Sequence, residues 1–157
     1  MIKKNIHTEK NVSKAVSRLY TVQALFQMES DNITLEQVLS EFTNYRDKEN
    51  HKLNIFVKAD LALFRQILRK TIEKQSFIDQ SIELLLKEGW PIERIDPILR
   101  SIFRAACSEL LLGTPPKVVI NEFLDIAKAF FPAGKQCQLA NGVLDALAKN
   151  IMVKENS

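Results

Sequence analysis

The chain has 157 residues, 46% of them hydrophobic, with a formal net charge of +3. Such a length fits one compact domain burying roughly 68–70% of its unfolded surface, so no disulfide or structural metal is needed for folding. No apolar run reaches the roughly 20 residues that span a bilayer, and MIKKNIHTEK lacks a signal-type apolar core. Cys107 and Cys137 lie outside any CxxC or Cys/His spacing, which argues against zinc and suits reduced thiols in the cytoplasm.

The first predicted helix covers residues 12–28. Val12, Val16, Leu19, Val22, Gln23 and Phe26 recur at i, i+3, i+4 and i+7, the signature of a buried face. Lys10, Lys14 and Arg18 step by four along the opposite side and carry the helix back into the basic tail. Residues 1–18 hold Lys3, Lys4, Lys10, Lys14 and Arg18 against Glu9 alone, so the basic excess of the chain is an N-terminal property. Such asymmetry suggests contact with a polyanion, the competing reading being a solvated tail.

A second helix begins at Thr34, where Thr34 and Gln37 have capping-box spacing and Ile33 with Val38 suits a hydrophobic staple. Leu35, Val38, Leu39 and Phe42 are its expected inner face, and the polar run at residues 44–54 ends it. The longest predicted helix covers 57–88, with Phe64, Ile67, Leu68, Thr71, Ile78, Ile82 and Leu85 inward and Gly89 as C-cap. GWPIERIDP then breaks the chain around one helical turn. Asp96 as N-cap and Pro97 at the first helical position open the next helix. It buries Ile98, Ile102, Phe103, Ala106 and Leu110 and stops at Gly113. TPP at 114–116 leads into VVINEFLDIAKAFF, with Ile120, Phe123, Ala127 and Phe130 as its stripe. The last helix covers 136–149. Within it, LANGVLDAL carries Asn141-Gly142, a hairpin signal, although Leu139, Val143 and Leu147 keep helical spacing. The predicted fold is all-α, with two packed three-helix subdomains at about 12–89 and 96–150.

No catalytic set is apparent. His7 and His51 have no nucleophile or metal partner beside them, and phosphate-loop, HExxH and GxSxG patterns are absent. Binding remains. Arg100 and Arg104 lie one turn apart on the expected polar side of their helix, with Ser108 a further turn on and Lys128 on the outer face of the next helix. Aligned with the N-terminal cationic stripe, they suit single-stranded nucleic acid, with Phe26 or Tyr20 stacking on bases.

Three segments, SRLYTVQALFQME (17–29), ILRSIFRAACSELL (98–111) and VVINEFLDIAKAFF with ANGVLDAL (118–131, 140–147), resemble the NusB family of bacterial transcription antitermination factors. Their order and spacing span nearly the whole chain. The resemblance implies two three-helix halves and no catalysis. It also implies binding of boxA RNA together with a small-subunit ribosomal protein that acts as NusE, within the RNA polymerase antitermination complex and notably on ribosomal RNA operons. It places NGVLD inside the last helix, where Gly142 would let a neighbouring backbone approach and Asn141 would bond a nearby loop. The family's basic first-helix segment falls on Lys14 through Arg18, with Ala15 and Val16 in place of cations. Phe26 stands where an aromatic meets the ligand, and Arg104 matches the family's arginine. Phe26, Arg100, Arg104 and Leu139 are the expected partner contacts; Lys3, Lys4, Lys10, Lys14, Arg18, Phe26, Arg104 and Lys128 are the expected RNA contacts. Ser108 and Leu139 replace aromatics, Ala140 replaces a valine, and Lys135 replaces common acids. These departures suggest lower intrinsic RNA affinity and more reliance on the protein partner. The alternative is a helical protein–protein adaptor with a passive basic tail.

Overall fold

The computed structural model describes the backbone of residues 2–46, 59–87 and 90–155, and the side chains of 10–44, 59–87 and 90–151. Among the described residues every regular element is helical. The α-helices are α1 (Ile2–Asp31), α2 (Leu35–Glu41), α3 (Leu61–Glu73), α4 (Gln75–Glu83), α5 (Pro97–Leu111), α6 (Pro116–Phe130) and α7 (Lys135–Glu155). A π-turn covers Phe42–Arg46 and a 3-10 turn Ile92–Arg94. The chain divides into two compact units, Met1–Leu68 and Arg69–Ser157, with the boundary inside α3. Gly89, near which the sequence suggested a division and a cap, lies outside the described residues, as do Val57 and His51.

In the first unit three rings make the centre. Phe42 and Phe64 stack with centroids 5.3 Å apart, and Tyr20 meets them edge-on at 5.5 and 6.3 Å, geometries that aromatic quadrupoles favour. Asn32, in the left-handed region at φ 53, lets the chain leave α1 and enter α2. The Thr34 hydroxyl accepts the Gln37 N–H at 3.2 Å while Gln37 Oε1 accepts the Thr34 N–H at 2.9 Å, the capping box read from sequence. Gln27 donates to Glu41 at 2.7 Å and ties α1 to α2.

In the second unit α5 is central, in contact with α4, α6 and α7. Asp96 caps it by accepting the Ile98 N–H at 2.8 Å, with Pro97 at the first position. At its other end Gly113, at φ 94, donates to Leu110 O and the Thr114 N–H bonds Glu109 O. That pair of bonds is a Schellman closure, which a side chain at a positive φ would strain.

Two element predictions change. The long helix is interrupted at Lys74 (φ −111, ψ 23), so α3 and α4 are separate. The Lys74 N–H still bonds Lys70 O, and Lys74 O accepts the Ile78 N–H. The break costs little bonding there, and no proline or glycine announces it. In α6 the buried stripe is Val119, Phe123, Ile126 and Ala127, whereas Ile120 is half-buried and Phe130 is exposed. Three consecutive apolar residues, Val118 to Ile120, made the phase of that stripe ambiguous.

Candidate nucleic-acid interface

The first helix is rotated from the face its periodicity suggested, although Val22 is buried as expected. Val12 and Phe26, expected in the core, are 40% and 39% exposed, and Val16, Leu19 and Gln23 between them are half-buried. The buried side carries Ser17, Arg18, Tyr20, Thr21, Val22, Ala24 and Leu25. Small hydroxyl residues hold this side inward by satisfying themselves on the backbone. Ser17 Oγ lies 2.9 Å from Ser13 O and 2.7 Å from Asp60 O, and Thr21 Oγ1 donates to Ser17 O at 2.9 Å. The Asp60 N–H bonds Ser13 O at 3.2 Å, and Asp60 Oδ1 accepts the Leu63 N–H at 3.1 Å, capping α3 where it meets α1. A hydroxyl bonded in this way enters the interior at little cost.

The rotation corrects the cationic stripe. Arg18, placed by sequence on the solvent side, is 4% exposed. Lys10 and Lys14 are exposed as expected. Lys3 and Lys4 lie on the backbone of α1, with side chains outside the described residues. What α1 offers to solvent is thus a half-apolar stripe ending in Phe26, with two lysines toward its N-terminal half.

In the second unit the supposed polar side of α5 is interior, because three helices surround it. Arg100 is 5% exposed, and its Nη1 donates at 3.1 Å to both Ile92 O and Ile95 O, holding the 3-10 turn against α5. Burial, and after it the Arg104 charge one turn away, pull its guanidinium below the ordinary value. Arg100 is therefore corrected from a surface contact to an internal clamp. Ser108 is fully buried. Its Oγ lies 2.8 Å from Arg104 O and shares a hydrogen bond of 2.6 Å with Thr71 Oγ1, in which either hydroxyl can donate. Arg104 stands at the edge of the unit in a two-pronged ion pair with Asp79. Lys128 is exposed, and Leu139 is half-buried on α7.

Gly142 does not do what the sequence suggested. A Cβ built there meets nothing within 4 Å, so no helix backbone approaches it, and Asn141 is exposed beside it. Three exposed aromatics were missed: Phe77 on α4, Trp90, which is half exposed, and Phe130 at the end of α6. For Trp90 and Phe130 the nearby Pro91 and Pro132 were the available signals, since each lies where a helix cannot continue.

A family model described as the NusB family matches residues 15–149. The transcription antitermination protein NusB of Gluconobacter oxydans (strain 621H) is 38% identical over 140 residues, covering 87% of each chain. The NusB protein of Granulibacter bethesdensis is 38% identical over 149 residues, covering 90% of this chain and 91% of the relative. Among solved structures, T. maritima NusB superposes with a TM-score of 0.67 at 31% identity, covering 87% of this chain and 90% of that one. The solution structure of NusB from Aquifex aeolicus shares the fold at a TM-score of 0.67 and 18% identity, over 92% of this chain and 93% of that one.

Proposed function

The chain belongs to the NusB family, and we propose that it is a non-catalytic transcription antitermination factor that binds boxA-type single-stranded RNA. In this reading it acts with a small-subunit ribosomal protein in the role of NusE. The assembly joins the cytoplasmic RNA polymerase complex and suppresses termination, notably on ribosomal RNA operons. The observation that carries RNA contact is the outward turn of Phe26 on a helix that, among its described side chains, exposes Lys10 and Lys14. An exposed ring accepts a base on its face, and each lysine replaces counterions on the strand.

The burial of Arg18 and Arg100 takes two expected cations out of direct phosphate contact. The isolated chain is therefore a weak RNA binder, and the ribosomal protein supplies the remaining affinity. The test is an electrophoretic shift of a short boxA-type RNA by the full chain, with and without the copurified partner, across a salt titration. A shift that strengthens with the partner and weakens steeply with salt is expected. Absence of any shift in both arms overturns the reading and favours the adaptor, for which Leu84 and Trp90, 77% and 50% exposed, are the available apolar contacts.

A further inference from the structure

We propose that the groove at the α3–α4 joint is a docking site for an acidic segment of a partner protein. One large apolar side chain of that segment seats between Ile72 and Phe77, and its carboxylates face Lys74 and Arg69. The groove lies within the second unit and shares no residue with the α1 contact proposed above.

The helix break makes the groove. On an unbroken α-helix Ile72 and Phe77, five residues apart, would point about 140° away from each other. The interruption at Lys74 brings both to one open concavity of about 570 Å³, together with Glu73, Lys74 and Asp79. Ile72 is 38% and Phe77 36% exposed there, whereas Thr71 and Ile78 beside them are buried. The core thus takes the neighbouring positions and leaves these two apolar side chains facing solvent. The joint itself is firmly bonded, with the Lys74 N–H on Lys70 O at 3.0 Å and the Ile78 N–H on Lys74 O at 2.9 Å.

Charge complementarity selects the occupant. From Arg69 to Phe77 the chain carries Arg69, Lys70 and Lys74 against Glu73 alone. Arg69 and Lys74 are exposed, and Arg69 lies one turn before Glu73 on the same side of α3. Asp79, the other carboxylate of the groove, is held through both oxygens by Arg104 at 2.8 and 2.9 Å. The remaining field is positive and favours a negatively charged segment. An apolar pair flanked by cations suits a peptide that carries one apolar anchor among acids. Gln75 and Ser76, both exposed at the start of α4, are able to donate to and accept from its backbone. A nucleic-acid strand fits less well, because Ile72 has no face on which a base stacks and Glu73 interrupts the row of cations.

The test is an amide NMR titration of the full chain with a short peptide of aspartates and glutamates around one central leucine. Shifts confined to residues 72–79 are expected. They should be absent with a control peptide whose leucine is replaced by serine, and with one whose acids are replaced by lysines. Phe77→Ala is expected to weaken binding of the acidic peptide by about 5- to 30-fold, the range of an anchor contact. Lys74→Glu, at an exposed position, is expected to weaken it by about 5- to 10-fold at low salt, with the difference shrinking as salt screens the charge. Circular dichroism and thermal unfolding check the folding of both variants, and Lys74→Glu decides the matter if Phe77→Ala proves unstable. Both variants are expected to bind boxA-type RNA as the parent does, so failure of the groove leaves the α1 reading standing, and the converse holds. Silent amides at residues 72–79, or equal shifts with the serine control, overturn the proposal. It is also overturned if those amides respond to a short single-stranded RNA, which makes the groove a nucleic-acid contact. A response to protein concentration alone makes it a contact between copies of this chain and overturns it likewise.

Discussion

Arg104 meets Asp79 edge to edge, with Nε 2.8 Å from Oδ1 and Nη2 2.9 Å from Oδ2. These parallel bonds join α5 to α4 and occupy the guanidinium fork that a phosphate would otherwise engage. The two side chains are 14% and 22% exposed, which places the pair between a solvated bridge and a buried one. A double-mutant cycle with Arg104→Ala and Asp79→Ala, followed by urea unfolding, is expected to give a coupling of about 1–2 kcal/mol. Additive losses would show that the fork is idle in the folded state. Because Asp79 already fills it, Arg104→Ala is expected to lower stability more clearly than it lowers RNA affinity.

Arg100 is the clamp of the GWPIERIDP segment. Arg100→Met keeps much of the apolar stem but removes the guanidinium donor from Ile95 O and one of the two donors from Ile92 O, which keeps the Ile95 N–H. The expected cost is about 2–4 kcal/mol, from one unsatisfied buried acceptor and one left with a single donor. Hydrogen exchange should quicken first at Ile95, whose N–H closes the 3-10 turn on Ile92 O. A variant as stable as the parent would show that the turn holds itself.

Gly142→Ala is expected to stabilise the chain by about 0.5–1 kcal/mol, because the position is helical and open. Thermal unfolding decides the sign. A loss would mean that a neighbour does approach Gly142. Combined with reduced RNA affinity, the gain would show a residue retained for binding at the expense of the helix.

The two sides of α1 are expected to respond oppositely. Ser17→Ala removes the hydroxyl shared by Ser13 O and Asp60 O and should cost about 1–2 kcal/mol in chemical denaturation with little change in RNA binding. Phe26→Ala, on the outer stripe, should cost less than about 1 kcal/mol in stability while weakening the RNA complex. The reverse pattern would restore the orientation that hydropathy suggests.

Much of the fold was legible because its signals are local. The Thr34–Gln37 box, the Asp96-Pro97 start and the Gly113 stop each work through the backbone within a few residues, and all three formed as read. Family membership was legible for a related reason: VQALF, INEFLDIAK and NGVLDAL are contiguous strings, and the family match spans them. The candidate site was less legible. Lys10, Lys14 and Lys128 are exposed as expected, but Arg18, Arg100 and Ser108 are interior, and Phe130 is outside rather than inside.

Helicity, the starts and stops of most helices and the family to which the chain belongs were written in local sequence, since these follow from backbone capping and contiguous pattern. The inner faces read for α2, α3, α4 and much of α5 are buried as expected, whereas the rotation of α1, the phase of the α6 stripe and the burial of the polar side of α5 emerged with tertiary packing. Hydropathy counts Ser17, Thr21 and Arg100 as polar, yet Thr21 finds a carbonyl one turn back in its own helix, and Ser17 and Arg100 find carbonyls on neighbouring segments once these pack beside them. A polar group so paired is as much at home inside as a leucine, and its partners become known only when the chain has folded.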